Sequence, residues 1–257
     1  MQEAVLLFSV LFIFCSGLSA QKVYTSANVH SHNDYEQELP FYQAYARGFG
    51  SIEADLWMVD DELYVAHDQS EIEEDRTFQY LYLDPLIRQI RFNGGKGYPN
   101  GDKLQLLIDL KSPYHEVLPI LLRQLAPYRS YFDTEKNPDA IRLVISGHMP
   151  PPDSLHTYDS ILTFDGRLGV EYPDKDWERI VLVSANVQNI VPWKYDENLS
   201  AEKKEKLQEV IQEIHREDRL IRFWAVPDTE LSYEILMELG VDYIGTDDPV
   251  KIECLLR

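Results

Sequence analysis

Apolar positions along this chain follow two alternating rhythms. Short β-type runs occur at 23–30, 51–57, 105–110, 141–146, 159–164, 180–184, 221–226 and 242–246. Between them, apolar residues recur at helical spacing over 37–47, 79–92, 113–126, 200–216 and 229–239, with Ser200 placed to cap the fourth of these. Strands alternating with amphipathic helices define an α/β chain with a parallel sheet, and eight strands predict a closed (β/α)8 barrel. The connections at 147–158 and 165–179 are too short or too rich in proline for full helices, so the barrel is expected to be distorted on that side. No linker, low-complexity tract or internal repeat interrupts the chain, which predicts a single domain over 21–257.

The first twenty residues follow a different rule. A mainly apolar run from Ala4 to Cys15, then small residues and a polar Gln-Lys pair, has the layout of a secretory signal peptide over 1–20. The run falls short of the roughly 20 residues that span a bilayer, so no stable membrane span is expected. Loss of the signal leaves Cys254 without an intrachain partner. These features predict an exported bacterial protein that is periplasmic, surface-attached or secreted. The chain carries 24 basic and 44 acidic residues, a formal charge of −20. That field disfavours nucleic acid, whose binding depends on neutralised phosphates. A small phosphodiester or lipid head group remains compatible, because a bound divalent cation reverses the local potential.

In a barrel of this kind the reacting groups lie where the strands end, and the predicted strand ends carry the chemistry. The first leads into "HSHND", the second contains "EAD" and returns through a tight turn to "HD", and the third ends "DLKS". Glu53 and Asp55 are two apart on a strand and face the same way. Ile52, Ala54 and Leu56 take the helix-covered side, which leaves the lumen for the acids. Asp109 supplies a third oxygen. Three carboxylates without nitrogen or sulfur partners point to one hard divalent cation, Mg²⁺ or Ca²⁺. The hairpin brings His67 beside the same strand end, and with His30 and His32 it offers imidazoles for proton transfer near neutral pH. Lys111, two residues past Asp109, is suited to a phosphoryl oxygen.

The segments "IEAD", "VAHD", a third acid before "LK" and the closing "FWAVPDTELSYEILMELGVDYIGTDDP" resemble the glycerophosphodiester phosphodiesterases. Their superfamily includes phosphatidylinositol-specific phospholipase C and sphingomyelinase D. "HSHNDY", "SIEADLW", "LYVAHD" and "RTFQYLYLDPL" are similar to the group containing altered inheritance of mitochondria protein six. The resemblance implies a distorted TIM barrel of the PI-PLC-like type. It also implies a metal-dependent phosphoric diester hydrolase acting on a glycerophosphodiester, lysophospholipid or related diester. Carried over by position, Glu53, Asp55 and Asp109 hold the cation, and His32 and His67 are the acid and base. By the same carry-over Lys111 and Trp224 line the substrate site; the opening motif adds Asn33 and His30 to the expected substrate set, with His30 one pleat deeper, buried and hydrogen-bonded. The His-Arg-Gly of the glycerophosphodiesterases is missing here, which removes a phosphate ligand.

Two other readings compete. His30 and His32 could be the paired metal ligands of an amidohydrolase-like barrel with Asp247 as its last-strand acid, but the ends of the fifth and sixth strands, "FDGR" and "SANV", lack the histidines such sites need. Alternatively the barrel binds a ligand without catalysis, with tryptophans and tyrosines as stacking platforms.

Overall fold

The computed structural model describes residues 22–256, so the signal segment expected over 1–20 lies outside the described residues. Nine strands are described: β1 Val29–Ser31, β2 Ser51–Val59, β3 Glu62–Val65, β4 Gln105–Leu110, β5 Arg142–Gly147, β6 Leu162–Arg167, β7 Ile180–Asn186, β8 Leu220–Trp224 and β9 Ile244–Thr246. Eight of them pair in the order β8-β7-β6-β5-β4-β2-β1-β9, all parallel, while β3 folds back antiparallel on β2. The seam between β8 and β9 is drawn together by an Arg222–Tyr243 bridge and by the amides of Asp242 and Tyr243 on the Ile221 carbonyl, at 3.1 and 3.3 Å. The result is a nearly closed parallel barrel. Among the described residues no helix is long and apolar enough to cross a membrane.

The helices cover the barrel as the apolar spacing predicts. They are α1 Tyr42–Ala46, α2 Asp84–Phe92, α3 Tyr114–Leu125, α4 Asp174–Trp177, α5 Val187–Ile190, α6 Ala201–Arg216, α7 Glu230–Leu239 and α8 Pro249–Leu255. Ser200 does cap α6, its side chain accepting from the Lys203 amide. On β2, Ile52, Ala54 and Leu56 are fully buried outside the lumen, as are Leu143 and Ile145 of β5. Between β5 and β7 only the short α4 and a single 3-10 turn, Leu155–Thr157, occur, so the distorted side lies where the sequence puts it.

Several boundaries differ from expectation, among them β6, which was expected over 159–164 and begins three residues later. The first strand shrinks to β1, because Thr25 and Asn28 cap a 3-10 turn reciprocally and take 26–28 out of the extended state. The helix expected over 37–47 reduces to α1, since Phe41 just ahead of it adopts φ 63° and interrupts the helical run. The stretch ahead of α2 is a π-helical turn, Gln79–Leu83.

Inward-facing residues form two layers. Leu107 of β4, Val144 of β5 and Leu182 of β7 make an apolar plug, with Leu220 and Tyr243 against it. Two residues further along the same strands stand Asp109, Ser146, Ser184 and Arg222. Because a strand repeats its facing every second residue, the polar layer rests directly on the apolar one. The plug excludes water from below, and the polar layer forms the floor of the open end.

Candidate functional site

Asp55, Asp109 and Ser146 are register partners across β2, β4 and β5. Carboxylates directly opposite one another repel, and the chain answers with a cation of its own. Lys111 Nζ lies 2.9 Å from Asp55 Oδ2 and 2.8 Å from Asp109 Oδ2. The buried Tyr35 hydroxyl also donates to Asp55 Oδ2, at 2.7 Å. Burial, then the charges of Glu53 and Asp109, push the Asp55 carboxyl up to about 7, against the pull of Lys111 and Tyr35. The remaining oxygens, Oδ1 of Asp55 and of Asp109, are buried and have no hydrogen-bond partner. Gly147 makes the packing around Asp109 possible: a Cβ there would stand 2.0 Å from Asp109 Oδ1, and its φ is +72°.

Glu53 is held from the other side of the lumen. His30 Nε2 donates to Glu53 Oε2 at 2.6 Å, while its Nδ1 meets the Ser51 hydroxyl at 2.8 Å. Arg222 Nη1 abuts His30 Nε2 and reaches Glu53 Oε2 at 3.2 Å. Burial pushes His30 down to about 4, and the Arg222 guanidinium pushes the same way. Burial raises Glu53, but the His30 hydrogen bond and the Arg222 charge outweigh it and keep this carboxyl well below the usual range. The trio is therefore built around an ionised Glu53, a neutral His30 and a guanidinium. Arg222 escaped the sequence reading. The signal was there: an arginine between Ile221 and Phe223 on a strand must face the lumen if its neighbours face the helices.

The loop after β1 turns at Asn33, which adopts φ 46°. Asp34 anchors this turn from inside, accepting from Ser31 Oγ at 2.8 Å, Tyr82 Oη at 3.0 Å and the Phe41 amide at 2.5 Å. Tyr35 Oη reaches Asn33 Oδ1 at 2.9 Å as well as Asp55, so one hydroxyl ties the loop to the acids. His32, thus positioned, donates from Nδ1 to Asp247 Oδ1 at 2.7 Å. Burial lowers its pKa, but the Asp247 hydrogen bond and the Glu53 and Asp247 charges together raise it above the ordinary imidazole value. Replacing Asp247 with Asn removes that carboxylate, so the His32 pKa is expected to fall. An NMR titration of the imidazole protons reads this directly, and an unchanged value would remove Asp247 from the role.

These groups share one cavity of about 790 Å³ at the C-terminal end of the barrel. His32, His67, Glu53, Asp55, Asp109 and Lys111 all line it, together with Asn33, Trp224 and Arg222. The His67 side chain is 56% exposed, and Trp224, at 45%, stands at the rim. His30 is the exception: it is buried and hydrogen-bonded as expected, but at 0% exposure it is absent from the cavity wall, so it is not the substrate contact the sequence suggested. Its two nitrogens are committed to Ser51 and Glu53. The same bonds, with His32 Nδ1 held by Asp247, oppose the reading of His30 and His32 as paired metal ligands.

The acids fit a divalent cation. Ligand oxygens from Glu53, Asp55 and Asp109 lie within 4.8 Å of one another, and two buried oxygens lack partners. An all-carboxylate set suits Mg²⁺ or Ca²⁺. His67, Asp68 and Glu71 also cluster, but all three are exposed, and Asp68 and Glu71 are engaged in capping the turn that follows.

A parallel barrel with acids and histidines gathered at its C-terminal mouth defines a class, and comparison with known proteins agrees on the fold. The crystal structure of a glycerophosphodiester phosphodiesterase from Parabacteroides distasonis superposes with a TM-score of 0.54 at 15% identity, covering 89% of this chain and 96% of that one. Residues 19–152 match the AIM6-like phosphodiesterase domain, and the chain belongs to that family. Altered inheritance of mitochondria protein 6 from Eremothecium gossypii is 28% identical over 86% of this chain and 67% of its own length. The Kluyveromyces lactis protein of the same name is 27% identical over 89% and 72%. A homolog from Arthroderma benhamiae is 30% identical over 54% and 53%. These yeast and fungal relatives overturn the expectation of a bacterial, exported protein and point to a eukaryotic setting.

Proposed function

We propose that this barrel is a metal-dependent phosphoric diester hydrolase acting on a glycerophosphodiester, lysophospholipid or related diester. The observation that carries this reading is the meeting of His32, His67, Lys111 and a carboxylate trio with two buried, unpartnered oxygens on one cavity. Bound at Glu53, Asp55 and Asp109, a divalent cation would supply positive charge to the phosphoryl oxygens.

The chain's own groups account for the rest. Two imidazoles line the same cavity, and neither is buried beyond reach of a ligand. With Nδ1 committed to Asp247, His32 offers Nε2 to the substrate. One histidine takes the proton from a hydroxyl of the diester as that oxygen bonds to phosphorus. The other protonates the departing oxygen as its bond to phosphorus breaks. Lys111 and Arg222 carry charge developing on the non-bridging oxygens. Arg222 enters the cavity from β8, and its guanidinium offsets the arginine missing after the first histidine. A tethered hydroxyl also has a large effective concentration, which favours a cyclic phosphate as the first product.

The test is a pair of diesters differing only in the hydroxyl next to the phosphate. The hydroxyl substrate is expected to react and its deoxy partner to react at least about 100-fold more slowly, because internal attack is lost. Equal rates would mean that water attacks phosphorus directly.

A further inference from the structure

A polar row crosses the barrel interior outside the cavity wall. His30 of β1, Ser51 of β2 and Gln105 of β4 are register partners across adjacent strands, and all three are buried. Gln105 stands two residues before Leu107, so it lies beneath the apolar plug, and neither it nor Ser51 lines the cavity. Gln105 Nε2 donates to Ser51 Oγ at 3.0 Å, Ser51 Oγ meets His30 Nδ1 at 2.8 Å, and His30 Nε2 meets Glu53 Oε2 at 2.6 Å. A chain of hydrogen bonds thus runs from under the plug to a carboxylate of the cavity. Burying an amide and a hydroxyl costs free energy, and Gln105 Oε1 has no hydrogen-bond partner. An apolar pair would join these strands without that cost, so packing alone does not account for the row.

The directions of the protons do. An ionised Glu53 only accepts, so its bond with a neutral His30 needs the ring proton on Nε2. The ring then has a lone pair on Nδ1, which the Ser51 hydroxyl fills as donor. With its one proton aimed at His30, Ser51 accepts in turn, and the Gln105 amide is the donor it meets. Reversing one member reverses the others. A proton on Nδ1 would turn the Nε2 lone pair toward the Glu53 carboxylate and leave that acid to Arg222, whose Nη1 abuts the same ring nitrogen. His30 and Arg222 both bond Glu53 through Oε2, and neither occupies Oε1.

We propose that Gln105 and Ser51 are positioning residues: they fix His30 as the Nε2–H tautomer and through it hold Glu53 by Oε2, leaving Oε1 for the cation. Service to the cation rests on the reading of Glu53, Asp55 and Asp109 as its ligands, whereas the tautomer does not.

Nitrogen NMR of the full chain, labelled with ¹⁵N-histidine and recorded without added ion, separates a ring N–H from a lone pair at each position. The wild type is expected to carry the His30 proton on Nε2. In Ser51→Ala and in Gln105→Met, which nearly conserves volume, the Nδ1–H form is expected to appear beside it. Calorimetric titration of the same samples with Mg²⁺ should show an affinity lower by about 10–100-fold in either variant, the scale of a lost outer partner. Should Gln105→Met fail to fold, Ser51→Ala, which removes a single buried oxygen, carries the test. A wild-type ring protonated at Nδ1, variants that keep the wild-type tautomer, or a shifted tautomer with unchanged affinity would overturn the proposal. A purely structural role would lower the melting temperature and move neither readout. A wild type with the Nε2–H ring that binds no Mg²⁺ would remove the cation reading instead, and the tautomer of the variants would still decide what Gln105 and Ser51 do.

Discussion

With alanine at position 32 or 67, turnover of a phosphodiester substrate is expected to fall by about 10²–10⁴-fold, the scale of a lost proton-transfer group. Both side chains reach the cavity, and neither supports the core: the side-chain exposures are 38% for His32 and 56% for His67. Folding should therefore be little changed, and thermal melting of each variant checks this. His30→Ala is expected to behave in the opposite way. It removes the donor to Glu53 at the centre of the lumen and leaves Ser51 and Arg222 facing a void. Its first effect should be on stability, of a few kcal/mol for a buried hydrogen-bonded group. A stable but inactive His30→Ala beside an active His32→Ala would reverse the assignment of the two histidines.

The second large effect is on cation binding. Asp55→Asn is expected to lower the affinity for Mg²⁺ or Ca²⁺ by more than about 100-fold, since the loss of even an outer partner costs 10–100-fold. The metal-free protein should respond differently. Asp55 is buried beside Glu53 and directly opposite Asp109, and its carboxyl is pushed up to about 7 by that burial and those charges. Asparagine removes the repulsion and can still accept from Tyr35, so the variant without metal should be no less stable than the wild type. The wild type should melt higher when the ion is added, by mass action, and the variant should not. An equal rise in both would exclude Asp55 from the cation site.

Much of this architecture was legible because it depends on period. The 105–110 segment coincides with β4, and the expected helices over 113–126, 200–216 and 229–239 lie within a residue of α3, α6 and α7. The alternation in "SIEADLW" put Ile52, Ala54 and Leu56 outside and Glu53 and Asp55 inside, as in the structure. What failed was set by contacts that local spacing does not encode. The short β1 reflects a capped turn, and the truncated α1 follows from the backbone at Phe41. Arg222, Asp165 and Tyr35 come to the acids from β8, β6 and the loop after β1, and only closure of the barrel brings them together. His30 was read as one pleat deeper than His32 and buried, as it is, but its commitment to Ser51 and Glu53 removes it from the substrate set. Asp247 was read as an acid of a rival metal site, whereas its partner is His32.

Phosphorus NMR of a glycerophosphodiester or lysophospholipid with a free hydroxyl, incubated with the protein in the presence and absence of a chelator, tests the central claim most directly. The account predicts loss of the diester signal and early appearance of a cyclic phosphate, both stopped by the chelator and restored by added Mg²⁺ or Ca²⁺. A diester signal that persists with either ion present, or turnover that the chelator leaves untouched, would contradict it.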